Sequence, residues 1–389
     1  MNQLSILYLV SLLMDMSVAA VIFAISRRAA ELGATASDLG WLGAVWIGLY
    51  AALALVTGRV SDRVGRRKLA VVGCVIAAGM AWACALTTRI GLLLVFSAVF
   101  GGGLACFWPS IIAWLGEGLS GHALAARLTT FGVAWNIGLF LGYSLSGVLF
   151  EHSPRLVFYA STGAILAIAA LLLVPARQMP GAPARTAPSD ECLDIPKGRG
   201  FRKTAWLANF ATNFALAGTA ALFPQLATHL GIGADIHGDL LAASRAAALV
   251  AFAGLQFLMF WRTRLWPLWI AQLGCAASIV WIGFAHATWM FAAAWIIGGA
   301  VSGYAYQASI YFTLEEMTEK GKGSGFHEAV LGSGMFFGPM LAGWVGNSHG
   351  LRFPYFFCAA MQVALVALQM MLVWTRRRVT TESHLRDES

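Results

Sequence analysis

Gly58-Arg59-Val60-Ser61-Asp62-Arg63-Val64-Gly65-Arg66-Arg67-Lys68 separates two apolar stretches of this chain, 39–57 and 69–87. Five of its eleven residues are basic and one is acidic. Each flanking stretch is close to the ~20 residues that cross a bilayer as helix. A cluster of Arg and Lys between two such stretches holds the turn on the cytoplasmic side. Gly58 reads as a point where a helix end can lie close to a neighbour. Gly65 reads as a tight reversal that a Cβ would obstruct.

The rest of the composition follows this pattern. Of 389 residues, 59% are hydrophobic and 11% charged, with mean hydropathy +0.72. A soluble domain with about a quarter charged residues is excluded. The net charge of +8 sits in loops rather than on one soluble face, so it speaks for topology and lipid headgroups and against nucleic acid. Met1–Ile25 lacks a basic leader and is long enough to span, so it reads as a first helix and not as a signal peptide. The six cysteines (Cys74, Cys84, Cys106, Cys192, Cys275, Cys358) include no C-x-x-C pair. Five fall in apolar spans as small hydrophobes, and no disulfide framework, metal site or cofactor is indicated.

Apolar segments of about 20 residues fall near 4–25, 39–57, 69–87, 91–115, 128–150, 155–175, 204–228, 238–261, 265–285, 288–313, 327–348 and 352–375. The expected fold is therefore all-α and integral to the membrane, with twelve transmembrane helices. The even-numbered loops and the termini hold 20 of the 26 Lys and Arg, which places both termini in the cytoplasm and the protein in the inner (plasma) membrane. Residues 176–203, with Pro180, Pro183, Pro188 and Pro196, read as a cytoplasmic linker. It divides the chain into a bundle at 1–175 and a second at 204–389.

The halves repeat one another. Ser110-Ile111 with Leu115 and Glu117 ends span four, and Ser309-Ile310 with Leu314 and Glu316 ends span ten at the same spacing. Gly138, Gly142 and Gly147 in span five match Gly334, Gly338 and Gly343 in span eleven. Small residues at this spacing let helices approach closely in lipid.

Asp15 is the most telling polar residue. It lies roughly 16 Å into span one at ~1.5 Å per residue, where a carboxylate costs on the order of 2.5–3.5 kcal/mol. It must therefore face a cavity or a partner. Tyr8, Ser11 and Asp15 form one stripe. Three roles stay open for Asp15: a hydrogen-bonded structural group, a proton carrier, or the counter-ion of a cationic substrate. Arg245, within span eight, can balance Asp15, bind an anionic substrate group, or reach outward to the interface. Cavity-lining candidates are Trp46, Tyr50, Trp108, Asn136, Tyr143, Asn209, Asn213 and the span-ten stripe Tyr304, Gln307, Tyr311. Pro109, Pro224 and Pro339 predict kinks or local breaks. Glu117, Arg127, Glu316, Lys322, His327 and Glu328 are candidates for ion pairs between the halves at the cytoplasmic gate. Gly321-Lys322-Gly323-Ser324-Gly325 lacks the full phosphate-loop spacing, and no hydrolase motif is present.

The opening stretch resembles the loop-2/3 signature of the major facilitator superfamily, G-x-x-x-D-R-x-G-R-[RK]-[RK], and the layout resembles its twelve-helix bacterial members. The resemblance implies two pseudo-symmetric six-helix bundles with the substrate site at the midplane between them. It also implies a conformational latch made of Gly58, Asp62, Arg63, Gly65, Arg66 and Arg67, with Asp62 against the cytoplasmic end of span eleven. Drug/proton antiporters of the family carry R-x-x-Q-G in span four, where this chain has Ser97-Ala98-Val99-Phe100-Gly101. Their G-x-x-x-G-P of span five ends here in Tyr143, and that pattern appears instead at Gly334, Gly338 and Pro339 of span eleven. Export is thus not implied over uptake. The expected function is secondary active transport of a small organic solute by alternating access, coupled to protons, by a monomer in the lipid bilayer. A transporter-like sensor or scaffold without flux is the alternative, and an intramembrane enzyme the remoter one.

Overall fold

A computed structural model describes residues 3–117, 121–174, 201–255, 257–258, 260–316 and 320–387. Within them the chain forms twelve α-helices: α1 Gln3–Glu31, α2 Ala36–Val64, α3 Arg66–Leu86, α4 Ile90–Leu115, α5 Gly121–His152, α6 Pro154–Leu173, α7 Phe201–His229, α8 Ala234–Gly254, α9 Trp266–Phe284, α10 Thr288–Glu316, α11 Lys320–His349 and α12 Phe353–Asp387. Ten carry a stretch apolar enough to cross a membrane; α7 and α10 fall below that hydropathy while being 29 residues long. Asn209, Asn213 and Gln225 dilute α7, and Tyr304, Tyr306, Gln307 and Tyr311 dilute α10. The linker expected at 176–203 lies outside the described residues except for its last three, which open α7.

Short junctions force the helices to alternate in direction. One face, here the terminal face, carries both chain ends and the α2–α3 turn. The distal face carries the α1–α2 and α7–α8 turns. Those two turns are built alike, each around a left-handed glycine, Gly33 at φ 81° and Gly231 at φ 69°.

The glycine ladders explain how the twelve helices become one body. In α5, Gly138 and Gly142 admit the backbone of α1 at Leu12 and Met16, and Gly147 admits α8 at Ala234. In α11, Gly334 and Gly338 admit α7 at Phe210 and Phe214, and Gly343 admits α2 at Ala36. The same positions thus perform the same packing in both halves: two rungs bind the first helix of their own half, and the third reaches the second helix of the other. Gly101 of α4 against the Trp46 carbonyl of α2, and Gly299 of α10 against the Ser244 carbonyl of α8, repeat the correspondence. Such contact is how helices associate where lipid offers no hydrophobic drive.

Pro109, Pro224 and Pro339 lie inside α4, α7 and α11, each of which continues as helix through its proline. Two expectations need correction. Span eight starts earlier and ends sooner than 238–261: α8 is Ala234–Gly254, and Phe260–Arg262 is a separate 3-10 turn. The basic stretch is not a loop, because Gly58–Val64 completes α2 and Arg66 begins α3, leaving Gly65 at φ 103° as the whole turn.

Candidate functional site

Asp15 occupies the middle of α1 and is 3% exposed. Its Cβ stands 3.2 Å from where a Cβ on Gly138 would be, so this face of α1 is pressed onto α5. One turn back on α5, Trp135 donates a hydrogen bond to the Asp15 carboxylate, and Arg245 of α8 lies within electrostatic range. Oδ2 of Asp15 is buried without a hydrogen-bond partner. Arg245 stands eleven residues into α8, about three turns from the distal face. That is deeper than the one or two turns its expected span allowed, and it brings the guanidinium to the level of Asp15.

A second carboxylate is arranged in the same way across the seam. The Tyr306 hydroxyl of α10 donates to Glu328 Oε1 of α11 at 3.3 Å. The Tyr306 ring stands edge-on to His327, with centroids 4.8 Å apart. His327 is fully buried; its Nδ1 shares a 2.8 Å hydrogen bond with Ser309 Oγ, and its Nε2 lies 3.8 Å from Glu328. The Glu328 side chain itself is 57% exposed. Trp135 and Tyr306 then meet between α5 and α10 at 6.4 Å, and Phe252 of α8 flanks Tyr306 at the same separation. Tyr50 of α2 lies in the field of both carboxylates. The result is a continuous line, Asp15–Trp135–Tyr306–Glu328, running from the first half of the chain to the second.

Other predicted residues serve elsewhere. The Tyr8 hydroxyl donates to the Arg127 carbonyl at 3.3 Å, and Ser11 to the Leu7 carbonyl at 2.7 Å, so both belong to α1 and its contact with α5. Trp108 is nearly buried between Phe107 and Phe131. Asn136 donates to the Gly132 carbonyl of its own helix at 2.8 Å. Asn213 donates to Asn209 Oδ1 at 2.9 Å, and Asn209 keeps a buried Nδ2 without a partner. Trp46 and Tyr50 pack on the main apolar core, and Tyr143 lends its carbonyl to the approach of Gly238. The span-ten stripe divides. Tyr304 and Tyr311 surround Trp261 at 6.0 and 5.1 Å, with Arg262 over the Tyr311 ring at 5.2 Å. Gln307 shares their helix and is partly buried.

At the terminal face, no described residue stands within 4 Å of a Cβ built on Gly58, so among the described residues the close approach expected there is not made. Asp62 pairs with Arg66 at 3.7 Å and is 66% exposed, rather than meeting α11. Arg66 also pairs with Glu117 at 3.3 Å and donates to the Ala113 carbonyl at 2.7 Å; Arg67 donates to the carbonyls of Leu172 and Val174. The arginines therefore fasten α3 to the ends of α4 and α6, where the helix dipoles favour cations. Arg63 lies exposed on the last turn of α2. Glu316 pairs with Arg202 at 4.0 Å, and Arg127 donates to the Leu115 carbonyl at 3.3 Å. Each of these contacts stays inside one half. Lys322 lies outside the described side chains.

At the distal face the halves meet closely. A Cβ on Gly343 would be 2.9 Å from Gly40 Cα, and one on Gly238 would be 2.9 Å from Gly147 Cα. Arg27 donates to the Ile232 carbonyl at 2.9 Å, Ser144 to Asp239 at 2.8 Å, and the Ala234 amide to Glu151. From Gly40 the α2–α11 contact runs through Gly43 and Gly48, which face Pro339 and Phe336; further along α2, Leu55 is 77% exposed.

A duplicated set of long apolar helices, closed at one face around a line of carboxylates and aromatics, defines a polytopic membrane protein of the two-bundle kind. A profile of the Major Facilitator Superfamily matches residues 7–262 and again 205–388. The chain belongs to that superfamily. Among curated proteins it is similar to a putative tartrate transporter of Agrobacterium vitis, 34% identical over 157 residues, which are 39% of this chain and 34% of that protein. It is also similar to a probable actinorhodin transporter of Streptomyces coelicolor, 28% identical over 251 residues, covering 58% and 43%. The aligned stretches thus span less than half of either relative. Among solved structures, the nucleoside transporter NupG superposes with TM-score 0.72 at 14% identity, covering 95% of this chain and 99% of that one. An inward-facing, occupied bacterial homologue of the human lysosomal transporter Spinster gives TM-score 0.70 at 15% identity, covering 99% and 97%. These likenesses concern the fold.

Proposed function

We propose that this protein is a proton-coupled secondary transporter that moves a small organic solute across the inner membrane by alternating access. The observation that carries the reading is the asymmetry of the seam. The distal face is closed glycine to glycine at two pseudo-symmetric places, while among the described residues the terminal-face ion pairs join helices of the same half. With 20 of 26 basic residues toward the terminal face, the positive-inside rule makes that face cytoplasmic. The conformation is then open inward. Rocking of the halves would part Gly40 from Gly343 and Gly147 from Gly238, and would bring Asp62 toward α11.

Asp15 is the proposed proton carrier. It is a carboxyl at mid-membrane with one oxygen unsatisfied, and such groups mark ion pathways. Arg245 offsets its charge when the proton is away. The deciding experiment has two parts. A thermal-shift screen of the purified protein identifies a ligand, since a ligand that binds the folded state stabilises it by mass action. Counterflow of that ligand in proteoliposomes then supports transport. Binding without counterflow would establish a sensor in its place.

A further inference from the structure

The two carboxylates of the site are not equivalent. Asp15 is buried, accepts from Trp135, and has the Arg245 guanidinium within reach of its charge. Glu328 has a phenol and an imidazole for partners, and among the described residues no lysine or arginine lies within ion-pair distance of it. It is also the one that opens onto accessible space, at 57% side-chain exposure. An anionic solute would meet Glu328 before it met Arg245. A cationic group would find a carboxylate hydrogen-bonded by the Tyr306 phenol, whose ring is flanked by Trp135 and Phe252. Aromatic faces attract desolvated cations, and they carry the apolar body of an organic ion at the same time.

We infer that Glu328, with Tyr306 and Trp135, forms the recognition site for an organic cation carrying an apolar body. The inference rests on the transport reading above and names its substrate class. His327, hydrogen-bonded to Ser309, packs edge-on to the Tyr306 ring whose phenol donates to Glu328.

The test uses the purified full chain in detergent and two probes of matched shape and opposite charge, tetraphenylphosphonium and tetraphenylborate, read by tryptophan quenching and by calorimetry. Tetraphenylphosphonium should bind the wild type and tetraphenylborate should not. Glu328→Gln should weaken the cation at least tenfold, Glu328→Asp should retain part of the affinity, and Tyr306→Phe should weaken it less than Glu328→Gln does. Preference for tetraphenylborate, no binding of the cation to wild type, or unchanged affinity in a folded Glu328→Gln variant would each overturn the inference. Proteoliposome counterflow separates it from the transport reading. Cation binding without flux would sink transport and leave the site standing, whereas flux of an anionic solute with no cation binding would do the reverse.

Discussion

Gly343 of α11 and Gly40 of α2 meet backbone to backbone, with a Cβ on Gly343 only 2.9 Å from Gly40 Cα and 2.6 Å from the Ala36 carbonyl. Gly147 and Gly238 make the same contact between α5 and α8. No larger residue fits either place while the distal face is shut. Gly343→Val should therefore prop that face open. With a reporter cysteine at Ser144, which sits in the other seam opposite Asp239, labelling by a membrane-impermeant maleimide from outside intact cells should rise several-fold over the parent. Equal labelling in the two proteins would mean that the halves do not move as a pair.

Asp15→Asn imitates the permanently protonated carboxyl. If Asp15 carries the coupling proton, accumulation against a gradient should fall to background while exchange at equal concentrations persists. Both are measured in the same liposomes between pH 5.5 and 8. Uphill transport that keeps its pH dependence in this variant would exclude the assignment.

Asp62→Asn should lower transport several-fold and leave ligand affinity and melting temperature within error. The side chain is 66% exposed and pairs with Arg66 across the Gly65 turn, an exposed interaction worth about 0.2–1 kcal/mol. The open-inward form thus loses little, and the variant acts on the opposite state. Wild-type flux would show that the aspartate has no part in closure.

Arg67→Ala should behave differently, because its guanidinium holds the last carbonyls of α6. Hydrogen bonds to charged donors contribute about 1.5–3 kcal/mol each. A drop of several degrees in the melting temperature of the purified protein is expected, with Arg67→Lys recovering only part, since a flexible ammonium lacks the rigid planar fork that meets both carbonyls at once. A melting temperature equal to wild type would remove the structural role.

Reporter fusions after Lys203 and after Arg378 should both report the cytoplasm. An external report from either would invert the proposed orientation and turn the inward-open conformation into an outward-open one.

Much of this was legible in the residues themselves. Runs such as Ile90–Leu115 have one physical solution in lipid, and Gly138/Gly142/Gly147 against Gly334/Gly338/Gly343 displays the duplication because close backbone approach demands glycine. The site was read only in part. Asp15 and Arg245 stand out as charges among apolar neighbours; Tyr304 and Tyr311, cavity candidates by their spacing with Gln307, pack on Trp261. Periodicity says which residues share a face, not what that face meets. Tyr306 lies two residues on from Tyr304, some 200° around the helix. A signal was available: Gly299 and Gly303 mark the face of α10 that meets α8, and Tyr306 is one turn further along that face. Trp135 stands in the same relation to Gly138 on α5. The basic stretch 58–68 looked like a loop because charge usually marks loops, yet Arg66 and Arg67 are helical and spend their charge on neighbouring helix ends.

At Gly40–Gly343 and Gly147–Gly238 the distal seam is made of Cα atoms and carbonyls. Interlocked side chains must leave their sockets and change rotamer before two surfaces separate. Two bare backbones have no teeth to disengage, and they part or slide over one another like polished plates. Such a joint gives little resistance along the path even where its resting contact is intimate. Its speed of opening should then be set by the few polar threads across it, Arg27 to Ile232 and Ser144 to Asp239, so that cutting one of them quickens the cycle without loosening either bundle.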